Sequence, residues 1–287
     1  MELRLGPRVF ADEAHVVMAI VNRTPDSFFD RGATFALDAA LARADAVVAD
    51  GADVVDIGGV KAGPGDPVDT AEEIARTVDL IAAVRERHPG IVISVDTWRA
   101  EVADAACAAG ADLVNDAWGG VDPEIASVAA AHGAGLVCTH AGGAAPRTRP
   151  HRATYGDVVA DVIERTTALA EAAVAAGVRR ESVLIDPGQD FGKSTRHSLE
   201  ATRRTDELVA TGWPVLMALS HKDFIAETLD VTLDERLEGT LAATAVSRWL
   251  GAKAFRVHDV VQTVRTLRTV DAIRGVRGPA VTRRGLA

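Results

Sequence analysis

The chain has 287 residues, 48% of them hydrophobic and 25% charged, which excludes a disordered polypeptide. Its 31 Lys and Arg against 41 Asp and Glu give a formal net charge of −10. That balance argues against a nucleic-acid partner, because long-range attraction to phosphate is lost, but a local basic cluster can still hold a small anion.

Eight short apolar runs recur along the chain, at residues 15–21, 53–57, 91–95, 112–114, 135–139, 182–185, 214–219 and 254–257. Their near-continuous apolar character fits strands buried on both faces of a parallel sheet. Each is followed by an amphipathic, often alanine-rich stretch: 37–49, 70–87, 99–109, 123–132, 157–176, 199–210, 233–250 and 260–273. Glycine ends several of these, as at Gly51 and Gly110, where a left-handed residue closes a helix. The segment VADGADVVD from Val48 parallels AAGADLVND from Ala108. Eight strand–helix units predict a (β/α)8 TIM barrel over residues 15–274. The whole chain reads as a single domain with a short N-terminal extension and a solvated tail. A doubly wound open sheet is the competing arrangement.

No run reaches the ~20 apolar residues needed to span a bilayer, and residues 1–10 lack the apolar stretch of a signal peptide. Cys107 and Cys138 have no metal or redox spacing and read as buried thiols in a reducing compartment. The expectation is a soluble, cytoplasmic protein.

The strand ends carry the chemistry. In a barrel of this kind, function gathers where the strands finish. The residues there are Asn22, Asp56, Asp96, Asn115 with Asp116, His140, Asp186, Ser220 and His258. Each alone reads equally well as a turn former or helix cap. Together they suggest one polar rim. Asp96, Asn115 and Asp186 suit the N–H edge of an uncharged heterocycle. Lys222, Arg256 and His258 add positive charge near the seventh and eighth strands, where such barrels frequently hold phosphate. His88 and His132 end helices and read as structural. Gly58–Gly59 and Gly119–Gly120 either let a ligand approach the backbone or are ordinary turn residues.

Seven motifs span nearly the whole chain: MAIVNRTPDSFFDRG from Met18, DIGG from Asp56, SVDTWRA from Ser94, VNDAWGG from Val114, IDPGQDFGK from Ile185, SHK from Ser220 and FRVHDV from Phe255. This set resembles dihydropteroate synthase, the folate-pathway family that joins p-aminobenzoate to a dihydropterin diphosphate. The resemblance implies that Asp96, Asn115 and Asp186 hold the pterin edge, with Lys222 on its carbonyl and ring nitrogen. It implies diphosphate binding by Asn22, Arg256 and His258, with Asn22 also close to Mg²⁺. Ser220 would lie near the p-aminobenzoate carboxylate, in a pocket lined by Phe28 and Phe191. Lys222, Asp96 and Arg256 are the residues expected to act in catalysis. In the family, loss of diphosphate leaves a cationic pterin methylene that the arylamine attacks. The metal and the cations stabilise the leaving group, while the carboxylates stabilise the developing positive charge. The family generally pairs through late barrel helices, so a homodimer is expected, although the stripe Leu241, Ala245 and Trp249 reads more readily as core.

The departures from the family are local. After DIGG the family carries Glu-Ser-Thr-Arg-Pro-Gly, and this chain carries Val60, Lys61, Ala62, Gly63, Pro64 and Gly65. Arg23, Phe29 and Arg31 stand in the first loop where Val, Ser and Gly are usual. His221 replaces the Arg of Ser-Arg-Lys, Trp118 a small residue and Asp190 a glycine. A retained pterin and diphosphate pocket with weak or absent synthase activity is therefore expected, since loops that close over a reacting centre fix its geometry. Lys61, Arg23 and Arg31 are candidates for compensation. Three alternatives stay open: a working synthase with a remodelled second loop, a non-catalytic pterin- or sulfone-binding protein, and a pterin-dependent methyl transferase on the same barrel.

Overall fold

The computed structural model describes residues 2–25, 32–148 and 154–285. A hairpin of β1 (Leu3–Leu5) and β2 (Arg8–Phe10) precedes eight parallel strands: β3 (Val16–Asn22), β4 (Val54–Gly58), β5 (Val92–Asp96), β6 (Leu113–Asp116), β7 (Gly135–Thr139), β8 (Val183–Asp186), β9 (Leu216–Met217) and β10 (Ala254–Val257). Their order is β8-β7-β6-β5-β4-β3-β10-β9. A parallel bridge from Ile185 to Val215 brings β8 against the strand of β9 and closes the ring. This is the expected (β/α)8 barrel.

Alternation along each strand builds two apolar layers. Val17, Ala19 and Val21 pack outward against the helices, while Val16 and Met18 point into the barrel with Val54, Val92, Leu113, Val137, Leu184, Leu216 and Ala254. The hairpin belongs to the inner layer. Leu3, Leu5 and Phe10 are buried among these side chains, so the residues read as an N-terminal extension form the plug of the barrel floor. The two parallel segments share a device at that end. Asp53 accepts the Val17 amide at 3.0 Å, and Asp112 accepts the Ile93 amide at 2.9 Å. Each aspartate ties its own strand's start to the preceding strand.

The helices are α1 (Leu37–Ala49), α2 (Thr70–Arg87), α3 (Ala100–Ala108), α4 (Ile125–Ala131), α5 (Val158–Ala175), α6 (Thr195–Arg203), α7 (Thr205–Val209), α8 (Asp223–Leu229), α9 (Leu237–Trp249) and α10 (Val260–Ile273). Three boundaries differ from the sequence reading. The stretch 199–210 begins earlier, at a Ser194 cap, and breaks at Arg204, whose guanidinium holds Asp157, Glu200 and Glu207. The run 233–250 is a short 3₁₀ turn followed by α9, and α8 is an added helix before it. Of the run 214–219, only Leu216 and Met217 form strand β9, with Val215 joined to Ile185 by a single bridge. His88 and His132 each meet a helix aspartate at 2.7 Å, Asp45 and Asp104 respectively, in keeping with structural roles. Trp249 is not core: it is 56% exposed. Cys107 and Cys138 are buried free thiols. No helix among the described residues is long and apolar enough to cross a membrane.

Candidate active site

The same alternation that fills the barrel floor decides what reaches its mouth. On β4 the inward series is Val54, Asp56, Gly58; on β5 it is Val92, Ser94, Asp96; on β6, Leu113 and Asn115; on β10, Ala254 and Arg256. Each strand thus changes from apolar to polar partway along one face. The registers Asp56–Ser94 and Asp96–Asn115 set these groups side by side.

A cavity of about 340 Å³ opens above them. Asn22, Asp96, Asn115, Asp186, Phe191, Ser220, Lys222, Arg256 and His258 all line it. Every site residue expected from the sequence is therefore present except Phe28, which lies outside the described residues. Of the strand-end set, Asp56 lies beneath the cavity, while Asp116 and His140 are of the opposite parity and turn away. Asp116 instead accepts the Trp118 and Gly120 amides at 3.1 and 2.6 Å, shaping the turn after β6. Gly119 in that turn has φ 70°, and a Cβ there would lie 2.7 Å from the Thr139 carbonyl. Backbone packing accounts for that glycine.

Arg256 organises the floor of the cavity. Its Nε donates to Asp56 Oδ2 at 2.6 Å, and its Nη2 donates to Asp96 Oδ2 at 2.7 Å. Asp56, fully buried, also accepts Ser94 Oγ at 2.6 Å and Asn115 Nδ2 at 3.3 Å. Burial pushes the Asp96 carboxyl up to about 7, beyond what Arg256 offsets, with Asp56 adding to the rise. Burial also raises Asp186, although its Oδ1 accepts the Gly188 amide at 2.7 Å. Burial works against the charge on Arg256, yet the Asp56 and Asp96 carboxylates prevail and hold it firmly protonated. Asp56 was visible in the sequence as a strand end. Its role as the anchor of Arg256, 200 residues away, depends on ring closure.

Lys222 sits across the cavity as the residue before α8. Its Nζ donates to the Gln189 carbonyl at 2.8 Å and lies 4.4 Å from the Phe191 ring centroid. Burial lowers its pKa, with Asp190 and Asp186 opposing. Phe191 packs edge-on against Trp118 at 5.0 Å, and Trp118 against Trp98 at 6.4 Å. The bulky Trp118 thus forms an aromatic wall. His258 Nδ1 lies 3.0 Å from Ser220 Oγ, and burial, then Arg256, keeps this imidazole neutral. Asn22 and His258 also line an adjoining cavity of about 540 Å³, together with Arg43 and Gln262.

The opposite side is built from loops. Val60, Lys61, Ala62 and Gly63 line the main cavity. Arg147, from the loop after β7, donates to the Gly63 carbonyl at 3.3 Å and the Asp66 carbonyl at 2.6 Å. The second loop is thereby fastened to its neighbour across the mouth. Arg236 reaches the His221 carbonyl at 2.6 Å and Asp223 Oδ1 at 3.0 Å. Asp190 has φ 67°, and its carboxylate accepts Ser198 Oγ at 3.1 Å and the Phe224 amide at 3.3 Å. Of the two described candidates for compensation, Lys61 faces the cavity. Arg23 is turned to the Phe35 and Arg76 carbonyls at 3.1 and 2.9 Å, while Arg31 lies outside the described residues.

Chemically, the floor offers paired acceptors and a carboxamide to a flat ring bearing N–H groups, with cations at one end for an anionic tail. Comparison with known proteins gives the family. The sequence profile of the pterin-binding enzymes matches residues 18–258. The chain is 60% identical over 291 residues to the inactive dihydropteroate synthase 2 of Mycobacterium leprae, covering all of both chains. It is 39% identical over 252 residues to the dihydropteroate synthase of Bacillus subtilis, covering 87% of this chain and 85% of that one. Among solved structures, the Yersinia pestis dihydropteroate synthase in a sulfonamide drug complex superposes with a TM-score of 0.90 at 32% identity, covering 96% of this chain and 100% of that one. The chain belongs to the pterin-binding enzyme family, as a diverged homologue of dihydropteroate synthase.

Proposed function

We propose that this protein binds a dihydropterin diphosphate at the strand-borne floor and catalyses its condensation with p-aminobenzoate weakly or not at all. One observation carries the reading. Asp96, Asn115, Asp186, Lys222 and Arg256 converge on one cavity, while the facing loop presents Ala62 and Gly63 and is fastened by Arg147. In this reading Asp96, Asn115 and Asp186 take the pterin N–H edge and Lys222 its carbonyl. Asn22, Arg256 and His258 face the diphosphate. The p-aminobenzoate side is the altered one. Ser220 is engaged with His258, and Arg236 is engaged by Asp223, so a carboxylate entering there competes with the chain's own acceptors. The M. leprae relative, whose name records inactivity, supports the same reading.

Magnesium is part of the proposal. Among the described residues no three His, Cys, Asp or Glu side chains are grouped to hold a metal. Asn22 alone fits a Mg²⁺ whose other ligands are water and phosphate oxygens. Gly58 leaves space for its carboxamide, since a Cβ there would lie 2.7 Å from Asn22 Oδ1. The ion would neutralise charge on the leaving diphosphate.

The deciding experiment is a condensation assay with Mg²⁺, run beside calorimetric titration with the pterin diphosphate and with a sulfone mimic of p-aminobenzoate. Pterin binding with little or no dihydropteroate is the expected result. Turnover at rates ordinary for the family would instead favour a working synthase with a remodelled loop, the reading that Lys61 in the cavity supports. Binding of both ligands with no turnover at all would make it a binding protein.

We also propose a homodimer in the cytoplasm. Val246 and Trp249 on α9 are 48% and 56% exposed, an apolar face suited to a second copy, and the two buried thiols suit a reducing compartment. A monomeric mass by light scattering would reject the dimer.

A further inference from the structure

The loop after β8 is pinned from below by a group that does not itself line the cavity but holds residues that do. Lys193 is half-buried, and its Nζ lies 2.6 Å from His140 Nδ1, 3.0 Å from the Gly188 carbonyl, 3.1 Å from the Phe191 carbonyl and 3.2 Å from the His140 carbonyl. An ammonium has three N–H groups for these four acceptors. Because His140 Nδ1 accepts from Lys193, its Nε2 carries the proton and donates to Asp161 Oδ2 at 2.7 Å. The loop is packed backbone against backbone. Gly192 has φ 59°, and a Cβ there would lie 2.6 Å from the Ala141 carbonyl; Tyr155 Oη donates to the Gly192 carbonyl at 2.7 Å.

This loop carries both contacts that orient Lys222: the Gln189 carbonyl and the Phe191 ring. We propose that Lys193 is a positioning residue, whose ammonium, backed by His140 and Asp161, holds the loop 187–192 so that Gln189 and Phe191 aim Lys222 into the pterin cavity. Loss of its proton leaves two N–H donors for the same acceptors. A loop carbonyl is then released, and the grip on Lys222 loosens.

The surroundings place that loss near neutrality. The charged and titratable groups around Lys193 and its partner His140 are Asp161 and Arg165 on α5, Tyr155 before that helix, Asp186 and Asp190 on the lysine's own side, and Lys222. Burial brings the Lys193 amine down to about 7, with Asp186, Asp161 and Asp190 opposing and Lys222 assisting. Burial, then the Lys193 charge, holds His140 down at about 4, so the imidazole stays neutral while Lys193 titrates.

The ligand arm of the test rests on the pterin reading above, and the spectroscopic arm does not. In ¹⁵N-histidine spectra of the full chain, His140 should remain the neutral Nε2–H tautomer from pH 5.5 to 8.5. Its Nδ1 shift should inflect near 7, and the inflection should vanish in Lys193→Met. A flat Nδ1 shift in the unaltered protein overturns the proposal. For calorimetry the probe is 6-hydroxymethylpterin diphosphate with Mg²⁺. At pH 6, Lys193→Met should bind at least 10-fold more weakly than the unaltered protein. Asp161→Asn, on the outer helix, should move the midpoint of both the shift and the affinity to lower pH, because it removes a carboxylate that favours the ammonium. Full affinity in Lys193→Met, or an unmoved midpoint in Asp161→Asn, overturns the proposal. Failure of the unaltered protein to bind the probe at any pH would overturn the pterin reading and leave the His140 result to decide on Lys193.

Discussion

The two sides of the cavity are built differently. The floor stands on β3 to β8 and β10, where side-chain direction is fixed by strand parity and neighbours are fixed by register. The facing side is assembled from the loops after β4, β7 and β9, held by individual contacts such as Arg147 to Gly63 and Arg236 to Asp223. A strand residue cannot be re-aimed without shifting a ladder, whereas a loop residue can. The motif departures follow that division. Ala62 and Gly63 change loop chemistry and leave the Arg256–Asp56–Asp96 floor in place. Divergence of this kind can remove a reaction while preserving recognition of one reactant.

Four measurements bear on this contrast. The largest effect is expected from Asp56→Ala, which leaves Arg256 short of a buried partner and strips Ser94 and Asn115 of their acceptor. Breaking a buried pair from one side costs about 3–5 kcal/mol, so urea unfolding should show a loss of that order together with loss of pterin binding. Wild-type stability in this variant would mean the floor is not the rigid side.

Next is Asp96→Asn. A hydrogen bond to a charged group contributes about 1.5–3 kcal/mol, so affinity for the pterin diphosphate should fall by roughly 10- to 100-fold. Thermal unfolding should change less than for Asp56→Ala, because the Asp96 carboxyl reaches the cavity.

A third test uses pH. Burial holds the Asp116 carboxyl up at about 6, above its ordinary value of 3.8. The folded protein therefore binds this proton more tightly than the unfolded chain. The contribution to stability is complete below about pH 4 and is lost as the pH rises through 6. Denaturation midpoints collected between those limits should decline, and Asp116→Asn should flatten that part of the slope. Asp96, held up at about 7, should leave a residual decline above pH 6. An unchanged slope in Asp116→Asn would show that the turn after β6 is not a buried-carboxyl turn.

The smallest effect concerns Arg147→Ala. A surface substitution away from the core changes stability by about 0.5 kcal/mol or less. Amide exchange in residues 61–66 should nevertheless quicken, because the two carbonyl contacts are gone. If exchange there is unaltered, the loop is held by something else and the contrast between the two sides weakens.

The eight strand–helix units were legible because buried parallel strands and Ala-rich helices leave strong, repeated patterns. The site was legible to the extent that its residues end strands. Asn22, Asp96, Asn115, Asp186, Ser220 and His258 were recognisable on that basis, and Lys222 and Arg256 by charge beside it. Strand-end position alone did not separate Asp96 from Asp116 or His140, since a shift of one residue reverses the face. The hairpin plug was illegible because two three-residue strands carry no period. The contact between Lys193 of the IDPGQDFGK segment and His140 was equally hidden, because the two meet only once β7 and β8 are neighbours.

What the amino-acid order settled by itself was local: the eight repeated strand–helix units, to within their boundaries, and which chemical groups stand where the strands stop. Propensity, periodicity and capping act over a few residues, so they can be read along a line. Only closure of the ring decided that Arg256 bridges Asp56 and Asp96, that Lys222 leans on Gln189 and Phe191, and that Arg147 fastens the second loop. Those pairings join groups up to 200 residues apart, and the Arg256 contacts draw their strength from burial that exists only when the eighth strand has met the first.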